Sequence, residues 1–240
     1  MRRALAAALL VLLLGAAAPP FQPGGAVEAR AVIDGTTIAL ADGRALRLVG
    51  IDTPLAAQAK DALQRLVAGK ALELRFAGNA TDRNGRVLAE LYAGKRWVQR
   101  ELVRRGLARV HGAADNRVGL AELLTVEAKA RVAKRGLWRL SRYAVREADD
   151  AARDAGTWQI VEGTVADVAV VEGGAYLNFG ADWRSGFSAH LGRDAEKLMR
   201  NAGLDLKNLK GARLRVRGFI DGTRRPTIEV SFPEQIERLE

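Results

Sequence analysis

The sequence predicts a mainly β protein with helices, an α+β chain of two β-rich units joined by a charged linker. Three observations lead to this prediction. Two β-prone runs, 31–40 and 45–51, flank a turn that contains Asp42-Gly43, and Asp-Gly between alternating apolar residues is a strong hairpin signal. Apolar residues at helical spacing follow in three later segments of the first half. Beyond Thr157 the pattern changes to a series of short strands around one helix.

The remaining elements of the first half follow from local pattern. Apolar residues at spacings near 3.6 predict three helices, the last of them closed by Gly136 as a C-cap. Alternation of apolar and polar residues predicts two strands that surround a turn. In chain order, these elements are a helix at 56–67, a strand at 71–76, a turn at 79–86, a strand at 87–92, and helices at 98–107 and 120–135.

The second half is predicted to be a small β-barrel of the OB type at residues 157–240. Residues 144–156 are charged and rich in alanine, and we expect them to be a linker. Five or six short strands with one interposed helix suit an OB-like barrel. The predicted strands are 159–165, 169–171, 176–179, 187–191, 213–219 and 227–230, with the helix at 194–202.

Composition narrows the possible chemistry. The chain has 240 residues, 48% of them hydrophobic, and a formal net charge of +10 with a sequence pI of about 10.5. Such a charge attracts nucleic acid and other polyanions, although an arginine-rich soluble surface without a ligand explains it equally well. The absence of cysteine excludes disulfides, thiol catalysis and zinc–thiolate sites. His111 and His190 leave little room for a histidine-based site, and we expect both to be surface or packing residues.

The first residues predict export. Arg2-Arg3 precede an apolar run that ends in a small-residue segment, which is the pattern of a secretory signal peptide at residues 1–18. We expect a periplasmic or secreted protein without a stable membrane span after cleavage, because the apolar run is shorter than the roughly 20 residues that cross a bilayer. An uncleaved anchor is the alternative. Residues 19–25 are rich in proline and glycine and predict a disordered spacer.

Five segments, taken in order, resemble the staphylococcal-nuclease-like (thermonuclease) family. The resemblance covers residues 26–143 and implies an OB-fold barrel with three helices. The second half is similar to a C-terminal module found in many secreted thermonuclease-like proteins, on the residues 177–180, 182–184, 216–218 and 233–236. The five segments are Val32-Ile-Asp-Gly-Thr-Thr-Ile38, Leu46-Arg-Leu-Val-Gly-Ile-Asp-Thr-Pro54, Asp82-Arg-Asn-Gly-Arg86, Leu102-Val-Arg-Arg-Gly-Leu-Ala108 and Ala133-Lys-Arg-Gly-Leu-Trp138.

The resemblance implies a definite chemistry. In the family, Ca²⁺ lies between two carboxylates and a backbone carbonyl, a glutamate positions the attacking water, and two arginines neutralise the phosphorane. Calcium requires charged oxygen ligands, and phosphoryl transfer depends on positioning and charge stabilisation. Asp52 and Thr53 match the second carboxylate and the carbonyl, and Arg47 and Arg86 match the arginines. Arg83 adds a third cation for phosphate beside Arg86.

Three departures from the family pattern change this expectation. Thr36 stands where the first metal carboxylate belongs, and Leu55 replaces the glutamate. The family's nucleotide-packing aromatics have no match around residues 111–113. Losing half of the metal's carboxylate charge and the general base lowers the rate by roughly four orders of magnitude. We therefore expect Ca²⁺ binding to be absent or weak.

Several site residues have an alternative role. Asp34 either rescues the metal site, since it would share a strand face with Thr36, or accepts hydrogen bonds within the hairpin. Asp52 either binds the metal or caps the helix that follows Pro54. Arg47 and Arg86 either form an anion site or, for Arg47, compensate Asp34 or Asp52.

Aromatic and basic residues of the second half also allow two interpretations. Tyr176, Phe179 and Trp183 near Arg184 suit a base-stacking surface, but we expect them to be barrel core. A basic stretch, which we expect to be a solvated strand face, comprises Lys207, Lys210, Arg213, Arg215 and Arg217.

Three functions are compatible with the sequence. The first is an exported pseudoenzyme with a degenerate nuclease site that binds nucleic acid, another polyanion or an envelope protein with little or no cleavage. The second is an active metal-dependent nuclease on DNA or RNA that uses Asp34 and Asp52. The third is a structural envelope module. The sequence does not predict the oligomeric state.

Overall fold

The computed structural model describes residues 20–180, 182 and 184–239. The predicted signal peptide at 1–18 lies outside these residues. The first unit contains β1 (Gln22–Val27), β2 (Ala29–Val32), β3 (Thr37–Leu40), β4 (Ala45–Leu48), β5 (Ile51–Asp52), α1 (Ala56–Val67), β6 (Leu72–Phe76), β7 (Val87–Ala93), β8 (Arg96–Trp97), α2 (Val98–Arg104), β9 (Arg109–Val110) and α3 (Leu120–Val132).

The second unit follows two short 3₁₀ segments, Gly136–Arg139 and Ser141–Tyr143, and contains a third, Ala148–Asp154. Its further 3₁₀ turns are Leu206–Leu209 and Pro233–Gln235. Its regular elements are β10 (Arg146–Glu147), β11 (Trp158–Thr164), β12 (Asp167–Val171), β13 (Gly174–Asn178), β14 (Ser188–Gly192), α4 (Arg193–Asn201), β15 (Arg213–Asp221), β16 (Thr227–Val230) and β17 (Ile236–Arg238).

A seven-stranded sheet organises the first unit. Its order is β1-β6-β7-β4-β3-β2, with β8 paired to β7, and β5 pairs separately with β9. Helix α1 begins and ends where the sequence predicts, because Ala59, Leu63 and Leu66 form one apolar stripe that is buried on this sheet. The mixed α/β architecture predicted from sequence is therefore confirmed.

The predicted spacer at 19–25 is wrong for the residues that the structure describes. Strand β1 pairs antiparallel with β6 along its length, with a bulge between Pro23 and Gly25. A Cβ on Gly24 would lie 2.8 Å from the Leu74 carbonyl oxygen, so only glycine allows this close approach. Proline and glycine here serve edge-strand packing, whereas composition alone indicates disorder.

The predicted first hairpin strand, 31–40, is interrupted. Strand β2 ends at Val32, residues 33–36 form a turn, and β3 begins at Thr37. The Asp34 carboxylate accepts the backbone N–H of Thr36 at 2.7 Å, which is an Asx-turn. The expectation that Asp34 and Thr36 share a strand face is therefore wrong. The Asp42-Gly43 turn between β3 and β4 is confirmed.

The predicted linker at 144–156 is folded. Strand β10 lies within it and pairs parallel with β11. The following 3₁₀ segment buries Ala148 and Ala151 in the core of the second unit. Two small apolar side chains are enough to anchor the segment, and they produce too little periodicity to be recognised in a charged sequence.

An eight-stranded sheet organises the second unit. Its order is β10-β11-β15-β16-β14-β13-β12, with β17 paired to β15. Helix α4 packs against β13 and β14, and its Ala195 and Met199 reach the core. Among the pairings of the described residues, none closes either sheet into a barrel. The OB-like barrel therefore stays a prediction.

The two units share packed surfaces. Ile160 of β11 packs with Ala130, Leu137 and Trp138 of the first unit, and Phe232 belongs to the first unit's core cluster. Within the part of the chain that the structure describes, no helix combines the length and the apolarity needed to cross a membrane.

Candidate functional site

The turn at 33–36 connects three of the predicted site residues. The Thr36 hydroxyl donates to the Asp34 carboxylate at 3.0 Å, and the Arg47 guanidinium donates to the Thr36 hydroxyl. Thr36 is buried, with 2% of its surface exposed. Burial opposes ionisation of Asp34, but the hydrogen bonds from Thr36 and the charge of Arg47 outweigh it and lower the pKa of Asp34. Asp34 is thus held as a structural anion, which is the second of its predicted roles.

Asp52 is paired with an arginine that the sequence does not single out. Strands β5 and β9 place Asp52 opposite Arg109, whose Nη2 lies 2.8 Å from Asp52 Oδ2. The other oxygen, Oδ1, accepts the N–H of Thr53 at 2.8 Å. The N-cap of α1 is Leu55, and no side-chain hydrogen bond caps that helix. The alternative role of Asp52 as a helix cap is therefore wrong.

A residue of the second unit contacts the arginine of this ion pair. The Arg109 guanidinium lies 4.1 Å from the centre of the Trp158 ring and donates to the Trp158 carbonyl oxygen at 3.2 Å. Stacking on an indole attracts a cation electrostatically. Trp158 therefore holds the partner of Asp52 from outside the first unit.

The two groups of residues lie next to each other. A Cβ on Gly35 would be 2.5 Å from the Thr53 hydroxyl oxygen, so the Asp34 turn touches the Asp52-Thr53 segment. The centre of the His111 ring is 5.8 Å from the centre of the Trp158 ring. The charges of Asp52, Arg109 and Arg47 act on its pKa. The imidazole keeps an exposed edge, yet loss of solvent lowers the pKa of His111; Asp52 opposes this, while Arg109 and Arg47 reinforce it.

Comparison with known proteins relates part of this chain to a nuclease family. Residues 45–140 match the family model described as staphylococcal nuclease homologue. The chain is 35% identical over 102 residues to a probable staphylococcal-like nuclease CAN1 of Oryza sativa subsp. japonica, and 36% identical over 98 residues to the staphylococcal-like nuclease CAN1 of Arabidopsis thaliana. It is 29% identical over 121 residues to a thermonuclease of Staphylococcus hyicus.

Residues 45–140 form a staphylococcal-nuclease-like domain.

The extent of these matches is limited. The two plant matches cover 40% and 39% of this chain and 29% of each relative, so the chain spans less than a third of their length. The Staphylococcus hyicus match covers 45% of this chain and 72% of that protein. The family-model match includes Arg47, Asp52 and Arg86. All the described strands of the second sheet lie beyond it.

In the nuclease-like domain, Arg86, which is predicted to contact phosphate, is held by a hydrogen bond within its own turn. Arg86 Nε donates to the Asp82 carboxylate at 2.7 Å, and Asp82 also accepts the N–H groups of Asn84 and Arg86. Burial opposes ionisation of Asp82, but these hydrogen bonds lower its pKa. Arg83 is exposed at the tip of the turn, and it forms no ion pair with any residue that the structure describes. Asp82 thus orients Arg86, and Arg83 is available to an external anion.

Leu55 has an apolar role in the nuclease-like domain. It is partly buried and packs against the cluster that includes Leu137, Trp138 and Ile160. This cluster contains residues of both units. The position that the resemblance matches to the family's glutamate therefore contributes here to contact with the second sheet.

The donor set of the nuclease-like domain does not fit Ca²⁺. Calcium takes six to eight oxygen ligands, including several carboxylates. Here Arg109 occupies one oxygen of Asp52, and Arg47 occupies the Thr36 hydroxyl. In the described ranges, no group of three or more histidine, cysteine or acidic side chains is placed to hold a metal ion. Two guanidinium groups bind the oxygens that a cation would use.

Proposed function

We propose that this protein is an exported nuclease-like protein that binds nucleic acid or another polyanion and hydrolyses phosphodiesters weakly or not at all. The observation that carries the proposal is the Asp52–Arg109 ion pair, backed by Trp158. A carboxylate matched to a metal ligand is neutralised by a fixed cation instead. A fixed guanidinium can attract a phosphate, but it cannot activate a water molecule.

The lost groups account for the proposed loss of turnover. Leu55 cannot accept a proton from water, and Thr36 adds no negative charge for a metal. Each 1.36 kcal/mol of lost transition-state stabilisation lowers the rate about tenfold. Without this charge and this base, we expect the rate of hydrolysis to be several orders of magnitude below that of a working hydrolase.

The cations that remain support binding. Arg47, Arg83 and Arg86 are at the positions matched to phosphate contacts, and the chain has a net charge of +10. Guanidinium groups bind phosphate in a bidentate manner. We also propose that the second sheet is an OB-like module and that export follows from the segment at residues 1–18.

Binding and hydrolysis are tested on the purified chain. We expect salt-sensitive binding of a fluorescent single-stranded oligonucleotide without cleavage, with or without Ca²⁺. The double variant Arg47→Ala/Arg86→Ala should weaken binding about a hundredfold or more, since contacts to charged groups contribute about 1.5–3 kcal/mol each. Arg44→Ala is the matched control, because Arg44 is exposed in the turn between β3 and β4 and pairs with Asp42.

Two results contradict the proposal. Strong Ca²⁺-dependent hydrolysis that Asp52→Asn abolishes would establish an active nuclease using Asp34 and Asp52. Binding that neither arginine substitution changes would favour a structural envelope module. Export is tested by fractionation of the expressing cells, where cytosolic protein of full length would contradict it.

The lost site can also be rebuilt. The triple variant Thr36→Asp/Leu55→Glu/Arg109→Ala restores the two acidic residues and frees Asp52. We expect this variant to gain Ca²⁺ affinity in calorimetry, whereas Arg109→Ala alone should gain less. Equal Ca²⁺ affinity in the unaltered chain and the triple variant would show that these positions do not decide metal binding.

A further inference from the structure

The outer face of the second sheet carries an aromatic row that the core does not use. Tyr176 on β13 lies between Ala175 and Leu177, which are both fully buried. Side chains alternate along a strand, so Tyr176 faces away from the core and is only partly buried. The expectation that Tyr176 is barrel core is therefore wrong. Phe179 is buried against Phe187 as expected, and Trp183 lies outside the described residues.

Strand register continues this row across four strands. Tyr176 is paired with Ala169 on β12 and with His190 on β14, and His190 is paired with Glu229 on β16. The Tyr176 and His190 ring centres are 4.5 Å apart, and His190 Nδ1 lies 2.6 Å from the Glu229 carboxylate. The row thus places two adjacent aromatic rings on one face of the sheet.

A groove with a volume of about 1010 Å³ opens over this face. Ala166, Ala169 and Gly180 are among the small residues that line it. Three arginines and one acidic residue contribute charge to the lining, and that acidic residue, Asp167, is paired with Lys210 at 3.3 Å. The lining includes Ala166, Asp167, Ala169, Arg184, Arg224 and Arg225.

The cations occupy different places in the groove. The Arg225 guanidinium lies 4.7 Å from the Tyr176 ring centre and donates to the Asn178 side chain at 3.3 Å. Arg224 is exposed and forms no ion pair with any described residue. Arg225 therefore presents a positioned cationic plane, and Arg224 is a solvated charge at the rim.

We infer that this groove is a binding site for single-stranded nucleic acid, separate from the nuclease-like domain. Bases stack on aromatic rings and on guanidinium planes, which the Tyr176–Arg225 pair provides. Backbone phosphates are attracted to exposed arginines, which Arg224 provides. The inference goes beyond the proposed function by adding a second site, and it rests on that proposal only for the class of ligand.

The test measures binding of a fluorescein-labelled oligothymidylate of about 12 nucleotides, a length within the range of small β-barrel sites. Tyr176→Leu removes the ring but keeps an apolar side chain, and it should weaken binding about fivefold or more. Tyr176→Phe keeps the ring and should bind as the unaltered chain does. Thermal melting of each variant checks that the fold is intact.

Salt dependence separates a phosphate contact from a structural effect. Arg224→Gln should weaken binding and reduce the slope of log K against log salt by about 0.7, the value for one phosphate contact on a single strand. Lys207→Gln is the matched control, because Lys207 is exposed on the same unit outside the groove. It should leave both the affinity and the slope unchanged.

The outcomes distinguish the two sites. Full affinity in Tyr176→Leu and Arg224→Gln, with loss in Arg47→Ala/Arg86→Ala, overturns the groove alone. Loss of affinity in Tyr176→Leu and Arg224→Gln alone overturns only the proposed phosphate contacts of Arg47 and Arg86. Loss in both sets of variants supports both sites. If the unaltered chain binds no oligonucleotide, both are overturned. Polyglutamate of matched charge is the competitor that tests the class of ligand. If it displaces the oligothymidylate as well as unlabelled oligothymidylate does, and Tyr176→Leu has no effect, the groove binds anionic polymers in general. That result would overturn its assignment to nucleic acid.

Discussion

At the scale of single residues, Glu90 is a carboxyl group placed where water cannot reach it. Only 1% of its surface is exposed, and its carboxylate accepts the Trp97 indole N–H at 2.7 Å. Burial raises the pKa of Glu90 to about 8, although the hydrogen bond from Trp97 acts in the opposite direction. The folded protein therefore holds a proton on Glu90 at neutral pH.

Glu90→Gln is predicted to stabilise the protein at alkaline pH. In the unfolded chain Glu90 ionises near 4.5, whereas in the native state it ionises near 8. Between these values unfolding releases a proton, so the Glu90 contribution to stability is full below 4.5 and falls as pH rises, by at most about 1.4 kcal/mol per pH unit. Glutamine keeps an acceptor for Trp97 without this loss.

Urea unfolding at acidic and alkaline pH measures the effect. The advantage of Glu90→Gln over the unaltered protein should grow from acidic to alkaline pH. Glu73→Gln is the control, because Glu73 is partly exposed and pairs with Arg75. Equal pH dependence in the unaltered protein and Glu90→Gln would show that Glu90 is ionised in the native state.

Some residues of the candidate site can be predicted from the sequence and others cannot. Local motifs identify Asp52, Arg47 and Arg86 by their order along the chain. They do not identify Arg109, which lies 57 residues from Asp52 and reaches it only because β5 pairs with β9. Trp158 is more distant still and belongs to the other unit. Sequence thus predicts which groups are present but not which cation each carboxylate meets.

At the scale of elements, the segments that follow α2 and α3 are in backbone contact at two glycines, Gly106 and Gly136. Gly106 has φ +68°, and a Cβ there would lie 2.1 Å from the Arg135 carbonyl oxygen. The Gly106 carbonyl accepts the N–H of Leu137 at 2.8 Å. A Cβ on Gly136 would in turn lie 2.2 Å from the Gly106 carbonyl oxygen. The two backbones therefore approach as closely as glycine allows.

Gly106→Ala is predicted to destabilise the fold more than Gly69→Ala. Gly69 also has a positive φ, of +63°, but no atom lies within 4 Å of a Cβ built there. Gly69→Ala should therefore cost only the left-handed penalty of about 1–2 kcal/mol. Gly106→Ala adds a clash with backbone, and its total cost should exceed about 3 kcal/mol. Denaturant unfolding of both variants checks this, and equal losses would show that the helix ends can separate freely.

Element prediction succeeds where apolar periodicity is strong. Helix α1 is found at its predicted residues because five buried apolar side chains among its 12 residues form one stripe. Strand β1 and the 3₁₀ segment Ala148–Asp154 are missed because glycine, proline and alanine make their contacts through backbone and small side chains. Their partners, β6 and the second core, are not visible from local sequence.

At the scale of the whole molecule, a buried ion network joins the nuclease-like domain to the second sheet. Arg217 on β15 is 3% exposed and donates to Glu127 of α3, at 2.8 Å, and to Glu237 of β17. Glu127 is fully buried and also accepts the Val110 N–H at 2.7 Å. Burial favours loss of the proton from Arg217, but Glu127 and Glu237 outweigh it and raise its pKa.

Arg217→Met is predicted to cost about 3–5 kcal/mol of unfolding free energy, because it leaves Glu127 buried without its closest cation. Arg213→Met on the same strand is the control. Arg213 is exposed and pairs with Glu162, so its loss should cost about 1 kcal/mol or less. Calorimetry of the unaltered protein should show one transition, since the units share packed side chains. Two separate transitions, or equal losses in the two variants, would contradict the network's role.

The arrangement of the units is the part least accessible from sequence. The basic stretch that includes Arg215 and Arg217 is expected to be a solvated strand face. Alternation correctly separates it from the core side, with Leu214 and Val216 buried. On that face Arg213 is exposed, whereas Arg217 meets Glu127 of α3 instead of water. Nothing in the local sequence distinguishes the two arginines.

The position of Phe232 has a consequence for biosynthesis. Its side chain belongs to the core cluster of the first unit, where its ring lies 3.2 Å from where a Cβ on Gly112 would be. A ribosome adding roughly 5–20 residues per second needs several seconds to synthesise the stretch from 144 to 232. During that interval the emerging nuclease-like domain lacks one of its own core side chains. The nascent polypeptide thus completes its first core only after most of the second sheet has been translated.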